Sequence, residues 1–559
     1  MIRNFSIKEN YPQMNTDKHR FNFKLQISNF RFQIKKICFL SVFICVHLWI
    51  IFLLSCNSKP INLRSFVPAE TLVYFETNDL QKTLDTLTNG KAFQDAAKSK
   101  PDFSTLANMQ VAIAVTGFET SENQVTAENS VLNFKPRFVA IADTHTWNWQ
   151  TNSFVEKTLG EFVNETYGGE VALEMSEKSG GKSFVWTATD GRKVFAFVEN
   201  SLIFFGNDES AIEKCLSVKR GEADSFAKNG KSFENVENTL AFGYVSGDGI
   251  AQIANIVGVS TAIEATEGEE ERSFIAKVLP EVLRKSAKEI IWTATENEQG
   301  IEDKFEIILE TEIAKIVKET LVVSTQNQTN STEFLPTEIY SVTKYNLQNP
   351  QIAWRSLLLV TAKQTDEMSG KIIVAFADSL LEPYGIANAE TFLSAVDSQI
   401  LTAQFDAEGE KSLVIADVKN LEAIKKSIAE MNFKNAPEKN LNADIWKSED
   451  GEIIAAFIEN KIILGDAESV LKCLQAKQSG ENFTKNQLFA TFNESKSIAV
   501  TLGKDSGEKI VEVLSEKKAE NLQMTTNFLT ETRINAQGIE RKTVSPFGLI
   551  GTILEQFKN

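Results

Sequence analysis

Residues 190–216 read DGRKVFAFVENSLIFFGNDESAIEKCL, and residues 450–474 read DGEIIAAFIENKIILGDAESVLKCL. A self-match of this length is a repeat, and a repeat sets the number and kind of folding units before any other feature is read. Trp186 lies four residues before the first Asp-Gly and Trp446 four before the second, so the match extends upstream. In the first copy Asp190-Gly191 and Glu199-Asn200 separate three runs rich in β-branched and aromatic residues, and Gly or Asn at such points supplies the positive φ of tight turns. The pattern predicts a three-stranded antiparallel meander. The meander runs into a helix with Asp208 as N-cap, Ile212, Cys215 and Leu216 on one face, and Gly221 as the stop after Lys219-Arg220. The second copy repeats this with Asp466, Leu471, Cys473, Leu474 and Gly480.

Working outward, other segments recur in the same order. FVPAETLVYFETNDLQ at 66–81 answers FLPTEIYSVTKYNLQ at 334–348, Ile-Ala-Asp at 141–143 answers 415–417, and NEQGIE at 297–302 answers NAQGIE at 535–540. Two modules are predicted, 66–323 and 334–559, joined by a polar linker at 324–333. Asp79 before the Leu80/Leu84/Leu87 stripe and Asn349-Pro350 in the second module read as helix starts. The expected class is α+β: two tandem copies of a module with an antiparallel meander sheet and helices packed on one face. The first module carries extra residues after Gly249, including EATEGEEER (264–272), which lacks the spacing of a calcium loop and reads as a solvated acidic loop.

The chain has 559 residues, 42% hydrophobic and 24% charged, with a net charge of −17. Residues 1–55 hold 8 Lys/Arg against 2 Asp/Glu, which leaves the other 504 with a net −23. Nucleic-acid affinity comes mainly from Lys and Arg neutralising phosphates, so this acidic body excludes a nucleic-acid partner.

The apolar run ICFLSVFICVHLWIIFLL (37–54) follows Lys35 and Lys36, the charge order of a secretory signal. It ends in Leu53-Leu54-Ser55-Cys56, which resembles the lipobox of bacterial lipoproteins. That resemblance implies lipid attachment at Cys56, removal of 1–55 as the export segment, and Cys56 as the mature first residue. The competing reading is an uncleaved membrane anchor, since about 18 apolar residues just span a bilayer. Thirty-six residues before the run is long for such a signal, and a true start at Met14 or later accounts for part of it. Either reading puts the body in the cell envelope, on the far side of the cytoplasmic membrane, with the membrane as its partner through the N-terminal anchor.

The opening FVPAETLVYFETNDLQKTLDTL, soon after that cysteine, resembles an uncharacterised family of exported bacterial proteins whose mature part opens with a Val-Pro-Ala-(Asp/Glu)-Thr phrase. The likeness is clearest over Phe66–Leu87 and implies no activity and no site residues.

Chemistry leaves few traces. His145 is the one histidine beyond the signal segment, so any Ser-His-Asp or Cys-His arrangement depends on it. It lies in ADTHTWNWQTN beside Trp147 and Trp149, and reads as a surface or loop histidine next to aromatic packing, with catalytic base or metal ligand as the alternative. Trp147 and Trp149 read as core packing, with a ligand groove as the alternative. Asp143 and Asp417 end equivalent strands and read as caps of the following helices, although a carboxylate pair working alone would look the same. Asp190 and Asp450 belong to turns. Cys215 and Cys473 read as buried core thiols rather than a disulfide joining the modules. The sequence implies no cofactor or metal, and a non-catalytic binding or structural role leads over an envelope hydrolase using carboxylates or a hydrophobic-ligand carrier.

Overall fold

A computed structural model describes residues 60–555 apart from 98–99, 125–129, 229–238, 265–277, 279, 326–329, 376, 429–430, 432, 434–435 and 516–523. The export segment 1–55, Cys56 and the acidic run beyond Glu264 lie outside the described residues.

The chain is a mixed α+β protein built on one large antiparallel sheet. Its first ten strands are β1 (Val73–Thr77), β2 (Gln110–Gln124), β3 (Ser130–Asp143), β4 (Ala172–Lys178), β5 (Gly181–Thr187), β6 (Lys193–Glu199), β7 (Leu202–Gly206), β8 (Thr239–Ser246), β9 (Ala287–Asn297) and β10 (Gly300–Leu309). The next ten are β11 (Ser341–Asn346), β12 (Val396–Gln404), β13 (Ser412–Val418), β14 (Glu438–Asn440), β15 (Ala443–Lys447), β16 (Ile453–Ile458), β17 (Lys461–Asp466), β18 (Ala499–Ser506), β19 (Thr525–Ile534) and β20 (Gly538–Ser545). Pairing in the first set runs β4-β5-β6-β7-β3-β2-β1-β8-β9-β10. In the second it runs β14-β15-β16-β17-β13-β12-β11-β18-β19-β20, which is the first order with ten added to every strand. Strands β10 and β20 pair with each other and make the twenty continuous.

The meander at 181–206 forms as its turns require. Gly191 and Gly451 sit at φ 85° and 72°, the left-handed region that costs glycine little. The hairpin after β6 turns at Asn200, whereas that after β16 turns at Glu459, both with positive φ; the Glu-Asn match of the sequence is therefore displaced by one residue in space. The helices that follow are Glu209–Lys219, whose first turn is held by Asp208 accepting from Ala211 N, and Ala467–Ser479, held by Asp466 accepting from Ser469 N. Ile212, Cys215 and Leu216 are buried, as are Cys473 and Leu474, and each fully buried Ile or Leu contributes roughly 1.5–3 kcal/mol. Both cysteines are free thiols. Asp79 and Asn349 cap the helices Leu80–Asn89 and Pro350–Lys363, accepting from Lys82 N and Ile352 N.

Helices cover both faces of the sheet, not one. Strand β7, Leu-Ile-Phe-Phe-Gly, is buried at all five positions; a run without alternation has no face left for water and needs cover on both sides. Ala140, Ala142, Ile203 and Phe205 join one core with Phe154, Leu159 and Phe162, while Val139, Ile141 and Phe204 join another with Ile212, Cys215 and Phe226. Strands β13 and β17 divide in the same way. Asn330–Phe334, which runs from the end of the stretch read as a linker into the second module, forms a 3-10 helix in which Ser331, Thr332 and Phe334 are buried.

At the β10–β20 seam Lys304 lies directly opposite Lys542. These two occupy the same place relative to the matched Gly-Ile-Glu triplets, Gly300-Ile301-Glu302 and Gly538-Ile539-Glu540. Like charges facing each other are unfavourable, and acidic neighbours offset them: Lys304 reaches Glu540 at 3.3 Å and Lys542 reaches Glu302 at 2.7 Å. The last helix, Gly548–Glu555, adds Ile550 and Leu554 to the core of Leu80, Leu84, Trp292 and Ile301. Reciprocally, the helix Thr311–Thr320 adds Ile313, Ala314 and Val317 to a core containing Ala353, Val360 and Ile498. No helix among the described residues is long and apolar enough to cross a membrane.

Candidate functional site

The most unusual local chemistry lies where β3 ends. Asp143 is buried opposite Gln110 of β2 and Leu202 of β7. Its Oδ1 accepts from the backbone N–H of His145 at 3.0 Å, and its Oδ2 lies 3.4 Å from His145 Nδ1. This contact holds His145 in a left-handed turn at φ 51°. His145 is thus a loop histidine but a buried one: the carboxylate beneath it accepts from its backbone N–H, and its ring lies against the same carboxylate. The hydroxyls of Thr144, Thr146 and Thr151 bond one another at 2.8–3.1 Å, and Thr144 Oγ1 also donates to Ser201 O. Asp143 caps no helix: the helix begins at Asn148, where Gln150 Oε1 accepts from Trp147 N. Trp147 and Trp149 project from this first turn with 61% and 71% of their surface exposed, so the expectation of core packing is overturned. The helix sends its apolar face inward through Phe154, Val155, Leu159, Phe162 and Val163, and the two tryptophans lie before that face begins.

Gln110, fully buried, ties this end of the sheet to the entering chain. Its Nε2 donates to Ile61 O at 2.9 Å and its Oε1 accepts from Ile61 N at 2.8 Å, clasping one backbone residue as a strand would. Beside it a buried set forms on β1, where Glu76 accepts from Arg64 and, at 2.6 Å, from Tyr74 Oη. Burial, with the Glu76 charge, pushes the Tyr74 phenol well up, and the Arg64 guanidinium stacks 4.4 Å over Phe242.

At the place in the second set that matches Asp143, Asp417 pairs with Lys461 directly across β13–β17; both are buried. It too caps no helix, since Asn420 caps Leu421–Ser427. Asp190 and Asp450 accept from Arg192 N and Glu452 N inside their turns, as their Asp-Gly context predicts. Two buried charges have no counterpart in the sequence reading. Asp303 on β10 accepts from Trp292 Nε1 and from Leu549 N, both at 2.8 Å, and burial pushes its carboxyl up to about 6. Lys344 on β11 donates to the carbonyls of Phe492 and Asn493 at 2.8 and 2.7 Å, and burial lowers its ammonium to about 8. The period-2 alternation Ile301-Asp303-Phe305 and Val342-Lys344 was the available signal, since both charges fall on inward positions.

Two of the best-formed cavities are small. One, under the helix at 148–159, is lined by Met109, Val111, Ala142, Phe154 and Phe205 and measures about 10 Å³; the other, beside Arg64, Glu76 and Asn78, measures about 20 Å³. Each has the room of roughly one water molecule. Among the described residues no group of three or more His, Cys, Asp or Glu is placed to hold a metal ion. Comparison with protein-family models, with curated proteins and with solved structures found no match.

Proposed function

We propose that this chain is an exported lipoprotein of the cell envelope, anchored through Cys56, in which a duplicated α+β module serves a non-catalytic binding or structural role. The observation that carries the anchor is the position of Leu53-Leu54-Ser55-Cys56 at the very end of the apolar run that follows Lys35-Lys36. Support for the duplication comes from the strand order, which recurs with every number raised by ten, and from the seam, where matched residues Lys304 and Lys542 face each other. An antiparallel pair centred on equivalent residues has the symmetry of a two-fold dimer contact. Support for a non-catalytic role comes from the buried charges. Asp143, Asp417, Glu76 and Asp303 each hold a turn, a strand neighbour, the entering chain or a helix start. Groups engaged in this way fix structure rather than face a reactant.

Metabolic labelling with a radioactive fatty acid tests the anchor. Wild type should carry label, and Cys56→Ala should carry none and accumulate as the unprocessed precursor; equal labelling of both, or of neither, overturns the lipid anchor. A membrane-bound but unlabelled wild type is the outcome that favours the uncleaved helix. An experimental structure with 183–220 and 443–479 in different topologies would overturn the duplication.

A further inference from the structure

The exposed tryptophan pair and the point where the chain enters the fold lie at the same end of the sheet. Ile61 is clasped by Gln110, Gln110 is the direct cross-strand partner of Asp143, and Trp147 follows Asp143 by four residues. Cys56 precedes Ile61 by five residues, a contour of at most about 18 Å. A chain tethered to a bilayer at Cys56 therefore holds this end of its sheet within one short span of the lipid surface. There it presents Trp147 and Trp149, the most exposed aromatic side chains among the described residues; the next, Tyr345, is 38% exposed.

We infer that Trp147 and Trp149 form a membrane-contact site, their indoles seated in the headgroup layer of the bilayer that carries the anchor. The indole suits that layer, with an apolar ring to bury and one N–H that keeps a polar partner. The turn beneath is rigid enough to present the pair, being fixed by Asp143, His145 and the three threonines. The second set of strands lacks the feature where it lacks the tether: after β13 the chain passes through Lys419 and Asn420 into Leu421–Ser427 without a tryptophan. The net −23 of the body rules out attraction to anionic lipid as the main force, so the contact is aromatic and insensitive to salt. It orients the protein, with the twenty-stranded sheet rising from the surface at the end where β3 finishes.

This inference rests on the membrane tether proposed above, and its test separates the two. Full-length protein, exported and processed by its host, is reconstituted into phosphatidylcholine vesicles with brominated acyl chains. Flotation and lipid label read the tether, and quenching of tryptophan emission reads the contact. Residues 56–559 contain six tryptophans, and floated wild type should lose the emission of two of them, at low and high salt alike. Trp147→Phe/Trp149→Phe should float equally and show no such quenching. Floated, labelled wild type without quenching, or with quenching equal to the double variant, overturns the contact and leaves the tether standing. Protein that neither floats nor carries label overturns both. Protection of the pair by soluble glycan fragments in place of lipid also overturns it, in favour of a carbohydrate site.

Discussion

Asp303 joins the two sets of strands, and its charge should make stability depend on pH in a direction opposite to that of an ordinary paired carboxylate. It is 3% exposed, and its two oxygens accept from Trp292 Nε1 in the first set and from Leu549 N at the start of the last helix. Those two bonds favour the carboxylate, but burial outweighs them and raises the carboxyl from 3.8 to about 6. A folded-state value above the unfolded one means that the native protein binds more protons between about pH 4 and pH 6. The contribution is therefore fully present below about 4 and is lost as pH rises through 6. The gap between the two values corresponds to ~3 kcal/mol, reached only when both states are ionised. Asp303→Asn removes the charge and keeps one acceptor, at a pH-independent cost of about 1–3 kcal/mol for the donor left unpaired. Urea unfolding of both proteins at pH 4.5, 5.5 and 7.5, with exchange of the Leu549 amide as a local probe, measures the difference. Wild type should lose its advantage over Asp303→Asn progressively across this range. A gap between the two that stays constant within about 0.5 kcal/mol would refute the assignment of a buried, raised carboxyl.

Lys461→Ala should destabilise the protein by about 3–5 kcal/mol in denaturant unfolding, because it strands the buried Asp417 carboxylate. The double change Asp417→Leu/Lys461→Met should cost far less than the single one, and equal losses would count against a buried pair. Lys344 has a folded value lowered from 10.5 to about 8, so wild-type stability should gain from this group as pH rises from 8 toward 10; Lys344→Met should remove that gain in unfolding curves recorded over the same range. Native protein should react slowly with a thiol reagent at pH 8, since burial pushes the Cys215 thiol up to about 12 and the Cys473 thiol higher, and unfolding without reductant should release both thiols. Gly206→Ala and Gly465→Ala should each destabilise, because a Cβ there meets the carbonyl oxygen of Phe138 or Ser412 at 2.3 Å, and thermal melting of either variant at the wild-type temperature would refute the close approach.

Much of the fold was legible because its signals are local. Asp-Gly turns, alternating β-rich runs and helix caps at Asp79, Asp208, Asn349 and Asp466 depend on residues a few positions apart, so each could be read from the string and each recurs in the structure. The internal match needed no three-dimensional knowledge at all. Cys215 and Cys473 were legible for the same reason, as the helical period alone assigns them to inward faces. What the string could not carry was everything decided by partners distant in sequence. The second covered face of the sheet depends on which helices cross to which side, and the β10–β20 seam on a pairing between residues more than two hundred positions apart. Asp303 reads as an ordinary strand acid until Trp292 and Leu549 close over it, and Lys344 as a surface lysine until Phe492 and Asn493 do the same. At the end of β3 the sequence assigned the histidine to the surface or a loop and the tryptophans to the core; the structure keeps the histidine in a loop but buries it, and it exposes the tryptophans. The local pattern there is aromatic and polar with no period, so burial was settled by whether a carboxylate lay beneath His145 and whether any apolar face remained for Trp147 and Trp149 to meet. The sequence alone determined an α+β class, an internal sequence match, an acidic body and a lipobox-like cysteine; the tertiary structure alone decided which charges are buried, because burial is a property of the neighbours a side chain acquires and not of the side chain itself.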